Sequence, residues 1–181
     1  IRGETLAAFM KYHEDNGCAV SVMTAYPDNP KGYGRILKSN GIVKGIVEEK
    51  DASEEVKKIK EVNTGIYCFN GKLLKYALGK TGTDNSKGEY YLTDTIKILN
   101  DENYKAGCWV LEDSTEMNAV NDRVQLAEVT KMMQERINRK HMISGVTLIN
   151  PENTYIEDSV VIGTDTVVYP GTILKGKTVI G

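Results

Sequence analysis

Aliphatic residues recur at every sixth position in the last part of the chain. The recurring residues are Ile156, Ile162, Val168, Leu174 and Ile180. Threonine follows four positions after three of them, and glycines at 163, 171, 176 and 181 punctuate the run. A plain alternating strand would repeat every second residue, whereas a period of six is typical of a parallel β-helix whose aliphatic side chains point into the shaft. The sequence therefore predicts a parallel β-helix over residues 146–181.

The run of repeats stops after a few units. Repeat folds need several stacked units to bury their apolar faces. At the other end, Ile1 leads directly into a predicted helix, with no initiating methionine. We therefore expect the chain to begin in mid-domain and to hold only the first coils of the β-helix.

Strands and helices alternate before the repeats. Predicted helices cover 5–14, 51–59, 71–78 and about 94–100, and predicted strands cover 18–25, 33–38, 42–48, 61–69 and 104–111. The residues expected on the buried face of the first helix are Leu6, Phe9, Met10 and His13. Asn40-Gly41 predicts a hairpin between the second and third strands. This alternation favours an α/β layer fold with a mostly parallel sheet.

The strand predicted at 61–69 carries polar residues at its leading end. Its second half is Ile66-Tyr67-Cys68-Phe69, which predicts a central strand buried on both faces. Asn63 lies before this apolar run, where its amide can be offered to a ligand at the rim of the sheet. The alternative is that Asn63 only caps a turn before the strand.

Composition argues against several classes of partner. The net charge is −2, with lysines and acids interspersed, so nothing indicates binding to nucleic acid or to a membrane surface. No apolar run approaches the roughly 20 residues of a membrane span. Cys18, Cys68 and Cys108 are widely spaced and odd in number, which is typical of reduced core cysteines in a cytoplasmic protein. The two histidines are isolated, which argues against a His-based metal or triad site.

A long helix is predicted between the two parts of the chain, over residues 121–143. One face of this helix carries Leu126, Val129, Met133 and Ile137, and its length and polar flanks indicate a connector between domains. The predicted domains are therefore 1–120, a linker helix over 121–145, and the repeats over 146–181.

Several short motifs, in this order and spacing, resemble one family. They are Gly32-Tyr33-Gly34-Arg35, Gly45-Ile46-Val47-Glu48, Asn63-Thr64-Gly65, Gly88-Glu89-Tyr90-Tyr91-Leu92-Thr93-Asp94 and Val120-Asn121-Asp122-Arg123. Followed by a long helix and hexapeptide repeats, they closely resemble the bacterial bifunctional N-acetylglucosamine-1-phosphate uridyltransferases/glucosamine-1-phosphate acetyltransferases. The resemblance implies the carboxy-terminal half of a Rossmann-like nucleotidyltransferase domain, a linker helix, and the start of a left-handed parallel β-helix. It also implies that the amino-terminal nucleotide-binding half and most of the acetyltransferase β-helix are missing.

The resemblance implies a reaction and its partners. Family members convert UTP and N-acetylglucosamine 1-phosphate to UDP-N-acetylglucosamine and pyrophosphate with Mg²⁺, for peptidoglycan and lipopolysaccharide precursors. They also acetylate glucosamine 1-phosphate from acetyl-CoA, and they are cytoplasmic homotrimers. We expect this chain to be inactive alone, weakly oligomeric, and without a catalytic side chain of its own.

Four residues are implied as contacts of the sugar nucleotide: Gly34, Glu48, Asn63 and Asn121. Gly34 has no side chain, so its backbone can approach a sugar oxygen. Glu48 can accept hydrogen bonds from two hydroxyls, and Asn63 both donates and accepts. Asn121 can give its amide oxygen to Mg²⁺, which prefers oxygen ligands.

Alternatives stay open for several of these residues. Glu48 precedes Glu49 and Lys50 and could be surface charge, and Asn121 could be a helix cap. The roles of Tyr90, Tyr91 and Thr93 are undecided between a wall over the sugar and core packing. For the whole chain, the alternatives are a hexapeptide-repeat oligomerisation module and another hexose-1-phosphate nucleotidyltransferase, thymidylyl or adenylyl.

Overall fold

Two units make up the chain, Ile1–Met117 and Asn118–Gly181. The computed structural model describes residues 1–39, 41–120 and 122–181. The helices and strands of the first unit are α1 (Gly3–Asp15), β1 (Val20–Ala25), β2 (Arg35–Ser39), β3 (Ile42–Val47), α2 (Glu54–Lys57), β4 (Val62–Phe69), α3 (Gly71–Leu78), α4 (Asp94–Asp101), β5 (Ala106–Val110) and a 3₁₀ turn at Ser114–Met117.

The sheet of the first unit is mixed, with the strand order β3-β2-β4-β1-β5. Among the described strands of this sheet, only β1 and β5 pair in parallel, while β2–β3, β2–β4 and β1–β4 are antiparallel. The prediction of a mostly parallel sheet is therefore wrong. A tight hairpin requires β2 and β3 to be antiparallel, and β4 then inserts between β2 and β1 and runs against both. The predicted hairpin is confirmed by the pairing of Ser39 with Ile42, although Asn40 itself lies outside the described residues.

Strand β4 is central in the sheet but is only half-buried. Ile66 and Cys68 pack on one core cluster, and Tyr67 and Phe69 pack on another. Both faces of β4 therefore pack on core residues, as predicted, but the strand is less buried than predicted. The registered contact between β2 and β4 is confined to Arg35 opposite Val62, so beyond that point β1 is the partner of β4 among the described strands.

The buried face of α1 differs from the predicted one. Phe9 and Thr5 are buried, whereas Leu6 is 36% exposed and Met10 is 54% exposed. The reason is a long-range contact, because the Thr5 hydroxyl donates a 3.1 Å hydrogen bond to the buried carboxylate of Glu116. A threonine therefore takes an inward position that a hydrophobic pattern does not assign to it.

Helix α2 is one turn long, shorter than predicted. It begins after Ser53, whose hydroxyl accepts a 3.3 Å hydrogen bond from the amide of Val56. Ser53 therefore caps the helix, and Asp51 has another partner, described below.

The described part of the second unit consists of one α-helix, one 3₁₀ turn and six very short strands. Its elements are α5 (Arg123–Ile143), β6 (Thr147–Leu148), a 3₁₀ turn at Pro151–Asn153, β7 (Tyr155–Ile156), β8 (Val161–Ile162), β9 (Val167–Val168), β10 (Ile173–Leu174) and β11 (Val179–Ile180). Parallel pairs join β6 to β9, β7 to β10 and β8 to β11. The predicted inward aliphatics lie in one core cluster or against it, as expected from their period.

Helix α5 belongs to the same unit as these strands and contacts them through its carboxy-terminal part. Its buried residues are Ile137, Asn138 and His141. Of the residues predicted on one face of the helix, Ile137 is buried, whereas Leu126 and Met133 are exposed. The helix meets β6, β7 and the 3₁₀ turn, and its buried residues all lie in its last two turns. Within the described ranges, no helix is both long and apolar enough to cross a membrane.

Candidate functional site

Gly34 and Glu48 lie in contact at the rim of the first unit's sheet. Gly34 precedes β2 and is buried, and Glu48 follows β3. A methyl group added to Gly34 would lie 3.0 Å from Ile46 Cγ2 and 3.4 Å from Glu48 Oε2. Because Gly34 has no side chain, the Glu48 carboxylate can lie close to the Gly34 backbone.

Asn63 is joined to the same rim through its backbone. Its amide donates a 2.9 Å hydrogen bond to the carbonyl of Gly34. The side-chain Oδ1 accepts a 2.9 Å hydrogen bond from the amide of Gly65, whose φ is +80°. Asn63 thus does shape a turn, but the turn is a bulge inside β4 and not a cap before the strand.

Tyr67 lies beside Asn63 and near Glu48. It was not predicted from the sequence as a site residue. On β1, Val22 pairs with Tyr67 and Thr24 pairs with Asn63. Residues an even number apart on a strand share a face, and the bulge brings Asn63 and Tyr67 opposite residues only two apart on β1, so the two side chains lie close together on one side of the sheet. Burial raises the pKa of Tyr67 to about 12, a hydrogen bond with the Asn63 side chain lowers it, and the Glu48 charge raises it.

Thr93 completes the group from the start of α4. It is buried, and its hydroxyl lies 3.4 Å from Glu48 Oε1, a long hydrogen bond. Of its two aromatic neighbours, Tyr90 is 73% exposed, which excludes a core role for it. Tyr91 is half-buried, with its hydroxyl oxygen inaccessible to solvent.

Glu48 and Glu49 have different surroundings. The Arg35 guanidinium, 2% exposed, lies 2.8 Å from Glu49 Oε2 and also donates to the carbonyl of Tyr33. Glu49 therefore neutralises a buried charge, while Glu48 faces Gly34 and Thr93. The two acids are not interchangeable surface charge.

Asn121, the fourth predicted contact and the predicted Mg²⁺ ligand, lies outside the described residues. Its neighbour Asp122 caps α5 by accepting a 2.8 Å hydrogen bond from the amide of Gln125. Within 1–39, 41–120 and 122–181, no three His, Cys, Asp or Glu side chains are grouped closely enough to hold a metal ion.

A separate cleft of about 280 Å³ lies beside α1 and β5. Its walls include Thr5 and Trp109, and also Arg2, whose guanidinium donates from two nitrogens to Glu116 Oε1. Gly34, Glu48 and Asn63 do not line this cleft. The cleft is therefore separate from the rim group, which comprises Gly34, Glu48, Asn63, Tyr67 and Thr93.

The rim group offers several kinds of polar contact within a small region. Glu48 is a hydrogen-bond acceptor, the Asn63 amide nitrogen is a donor, and the hydroxyls of Tyr67 and Thr93 can do either. Such a mixture suits a ligand with several hydroxyl or amide groups. The fold and this rim together define the class: a mixed α/β protein with a group of polar side chains at one rim of its sheet.

The family model for nucleotidyl transferases matches residues 1–116. The chain therefore belongs to the nucleotidyl transferase family, and the mixed α/β fold of its first unit agrees with this. The matched region contains Gly34, Glu48, Asn63, Tyr67 and Thr93.

Curated relatives match the chain over its whole length. It is 50% identical to bifunctional protein GlmU of Listeria innocua and 48% identical to bifunctional protein GlmU of Clostridioides difficile, and it spans 40% of the length of each. A solved structure described as a candidate UDP-N-acetylglucosamine pyrophosphorylase from Entamoeba histolytica superposes with a TM-score of 0.60. That comparison covers 92% of this chain and 52% of the other at 12% identity, which shows a shared fold.

Proposed function

We propose that the chain forms the sugar-phosphate side of a uridyltransferase that converts UTP and N-acetylglucosamine 1-phosphate to UDP-N-acetylglucosamine and pyrophosphate. The observation that carries the proposal is the meeting of Gly34, Glu48 and Asn63 at one rim, although the three residues come from three strand ends. Membership of the nucleotidyl transferase family supports it, as do the GlmU relatives.

The reaction requires orientation more than covalent chemistry. A phosphate oxygen of the sugar 1-phosphate attacks the α-phosphorus of UTP, a P–O bond forms, and the bond to pyrophosphate breaks in line. We assign to Glu48 the acceptance of hydrogen bonds from sugar hydroxyls. Asn63 would offer its amide nitrogen, because its Oδ1 is already bonded to the amide of Gly65.

Magnesium belongs to this proposal through Asn121. When bound, the ion neutralises phosphate charge in such transfers. One neutral amide oxygen does not hold magnesium firmly, since the ion usually needs carboxylate or phosphate ligands as well. The ion would therefore bind together with the nucleotide phosphates.

Ligand binding by the purified chain tests the proposal. We expect N-acetylglucosamine 1-phosphate to bind weakly, near millimolar, and to shift NMR signals of Glu48 and Asn63. Asn63→Asp keeps the acceptor for the Gly65 amide but replaces the donor and adds charge near Glu48. We expect it to weaken binding by about 1–3 kcal/mol.

Asn70→Asp is the matched control, because Asn70 lies just beyond the other end of β4 and caps α3 through its Oδ1. It should leave binding unchanged. Glucose 1-phosphate serves as the competing ligand. Tighter binding of glucose 1-phosphate than of the N-acetylated sugar would favour another hexose-1-phosphate nucleotidyltransferase, and no binding of either would remove the proposal.

We further propose that the second unit begins a left-handed parallel β-helix in a cytoplasmic homotrimer whose later coils acetylate glucosamine 1-phosphate. The parallel pairs link residues one full coil apart, such as Tyr155 with Ile173 and Val161 with Val179, which supports this. Exposed aliphatics on the outer side, including Ile173 and Val179, suit contact with other subunits.

Sedimentation of the chain at several concentrations tests the subunit contact. We expect weak, concentration-dependent association, because the β-helix stub is short. A tight trimer at all concentrations would instead favour the oligomerisation module as the principal role of this chain.

A further inference from the structure

Asp51 connects two segments that are far apart in sequence. Its Oδ1 accepts a 2.9 Å hydrogen bond from the amide of Ser86. The pKa of Asp51 is lowered, first by a hydrogen bond with the Ser86 side chain and next by the one with its backbone. Asp51 is therefore an exposed carboxylate with a specific partner 35 positions away.

Residues 85–89 form a turn held by their own bonds. Asn85 Oδ1 accepts hydrogen bonds from the amides of Lys87 (3.1 Å) and Glu89 (3.2 Å). The Asn85 carbonyl accepts a 3.1 Å bond from the amide of Gly88. The turn thus keeps its own shape, and the bond to Asp51 fixes where it lies.

The same turn leads into Thr93, which closes a ring of contacts at the candidate site. The amide of Asp51 donates a 3.0 Å bond to the carbonyl of Glu48, Asp51 binds Ser86, and Thr93 returns to the Glu48 carboxylate. Tyr91 lies within this ring. Burial raises its pKa, and so does the charge of Asp51 beside it.

We propose that Asp51 is a positioning residue for sugar binding: it holds residues 85–93 beside Glu48, so that Tyr91 and Thr93 form one wall of the sugar site. This inference rests on the proposed function for its ligand. It does not require Asp51 to touch the sugar. A hydrogen bond to an ionised acceptor is stronger than a neutral one, which explains why one side chain suffices to hold the turn.

Three variants of the 181-residue chain test the proposal. Asp51→Ala removes the acceptor, and Asp51→Asn keeps an oxygen acceptor without the charge. Asp28→Ala is the control, since it removes an exposed aspartate of the same unit from a loop. Two quantities are measured for each variant: hydrogen exchange of the Ser86 amide, and the Kd of N-acetylglucosamine 1-phosphate by NMR titration.

We expect Asp51→Ala to speed exchange at Ser86 about tenfold, since the amide loses a charge-assisted bond. Its Kd should rise about fivefold to tenfold, because the wall is no longer in place. Asp51→Asn should recover most of both effects, and Asp28→Ala should match the wild type. The melting temperature should stay constant across the set, because both aspartates are exposed.

The two readouts separate the two hypotheses. Failure of the wild type to bind the sugar phosphate overturns the proposed function, and exchange at Ser86 still decides whether Asp51 holds the turn. Unchanged exchange in Asp51→Ala overturns the positioning role. Faster exchange with an unchanged Kd overturns the link between the turn and the sugar.

Discussion

The Thr93 hydroxyl lies 3.4 Å from Glu48 Oε1, although the two residues are 45 positions apart. This contact joins the end of a hairpin strand to the start of a helix. Local sequence does not bring these two side chains together. Their contact results from the packing of the sheet and its loops. The candidate site is therefore a property of the first unit's packing, and changes at its contacts should be measurable.

Gly34→Ala should damage the site more than the fold. The new methyl would lie 3.0 Å from Ile46 Cγ2 and 3.4 Å from Glu48 Oε2. Both neighbours must move, at a cost of about 1–3 kcal/mol of unfolding free energy for overpacking. We expect the variant to bind N-acetylglucosamine 1-phosphate less well, measured by NMR titration.

Gly45→Ala is the control for that substitution. Gly45 lies in β3, and a methyl there would have no atom within 4 Å. It should change both stability and binding little. Equal effects of the two substitutions on stability and binding would show that crowding at Gly34 is not their cause.

Glu48→Gln should lower the pKa of Tyr67 from its value of about 12. The Glu48 charge is one of the two causes that raise this pKa, the larger being burial. Removal of the charge makes the phenolate easier to form. The carbon-13 signal of the Tyr67 ring, followed in an alkaline titration, measures the change. Glu54→Gln, on the exposed helix α2, should not change the pKa of Tyr67. An unchanged Tyr67 pKa in Glu48→Gln would show that the Glu48 charge does not act on Tyr67.

Glu116 should make the first unit's stability depend on acid pH. Burial raises the pKa of Glu116, but hydrogen bonds from the Arg2 side chain and amide and from Thr5 outweigh it and hold the pKa at about 2. A carboxylate with a depressed folded pKa stabilises the fold above its unfolded pKa, and this contribution is lost as pH falls toward the folded value. Between about pH 4.5 and pH 2 the loss should reach at most about 3 kcal/mol.

Urea unfolding of wild type and Glu116→Gln at several pH values measures this contribution. The gap between the two proteins should be wide at about pH 6 and should close as pH falls. Glu4→Gln, a neighbouring acid whose side chain is 74% exposed, should show little gap at any pH. A constant gap for Glu116→Gln would contradict the assigned pKa.

Asn138 should be the main polar anchor of the second unit. Its side chain is buried, donates to the carbonyls of Pro151 (2.7 Å) and Thr154 (3.0 Å), and accepts from Gln134 (3.0 Å). Asn138→Ala leaves those carbonyls without this donor, so we expect a loss of about 2–3 kcal/mol. Hydrogen exchange of the α5 amides measures it, with Glu128→Ala on the exposed face as the control. Equal exchange in both variants would refute the anchor.

Local patterns in the sequence predicted much of the fold. The Asn-Gly pair predicted the β2–β3 hairpin, and the period of six predicted that Ile156, Ile162 and Val168 are buried. These features depend on neighbours within a few residues or on a strict repeat. Strand direction across the sheet is different, because it depends on which strands pair. Periodicity carries no information about that choice.

The sequence predicted the candidate site residues that belong to a family motif. It did not predict a residue that reaches the site only through tertiary contacts. Gly34, Glu48 and Asn63 were identified by resemblance, and the structure brings these three together. Tyr67 was assigned to the strand's core, because only the bulge at Gly65 brings it beside Asn63. A glycine followed by alternating aromatic residues was a usable signal for that bulge.

The chain by itself should not make UDP-N-acetylglucosamine. In the proposed reaction two phosphates must be held in line, and holding both partners contributes roughly 7–11 kcal/mol to the rate. The proposed function assigns the described rim to the sugar partner, and the chain spans 40% of the length of its relatives. A pyrophosphate-release assay with UTP, N-acetylglucosamine 1-phosphate and Mg²⁺ measures turnover, with a full-length relative as the positive control. We expect a rate at least about five decades below that control. Turnover within about a hundredfold of the control, from a preparation shown by intact mass to be free of longer protein, would mean that these 181 residues hold both substrates.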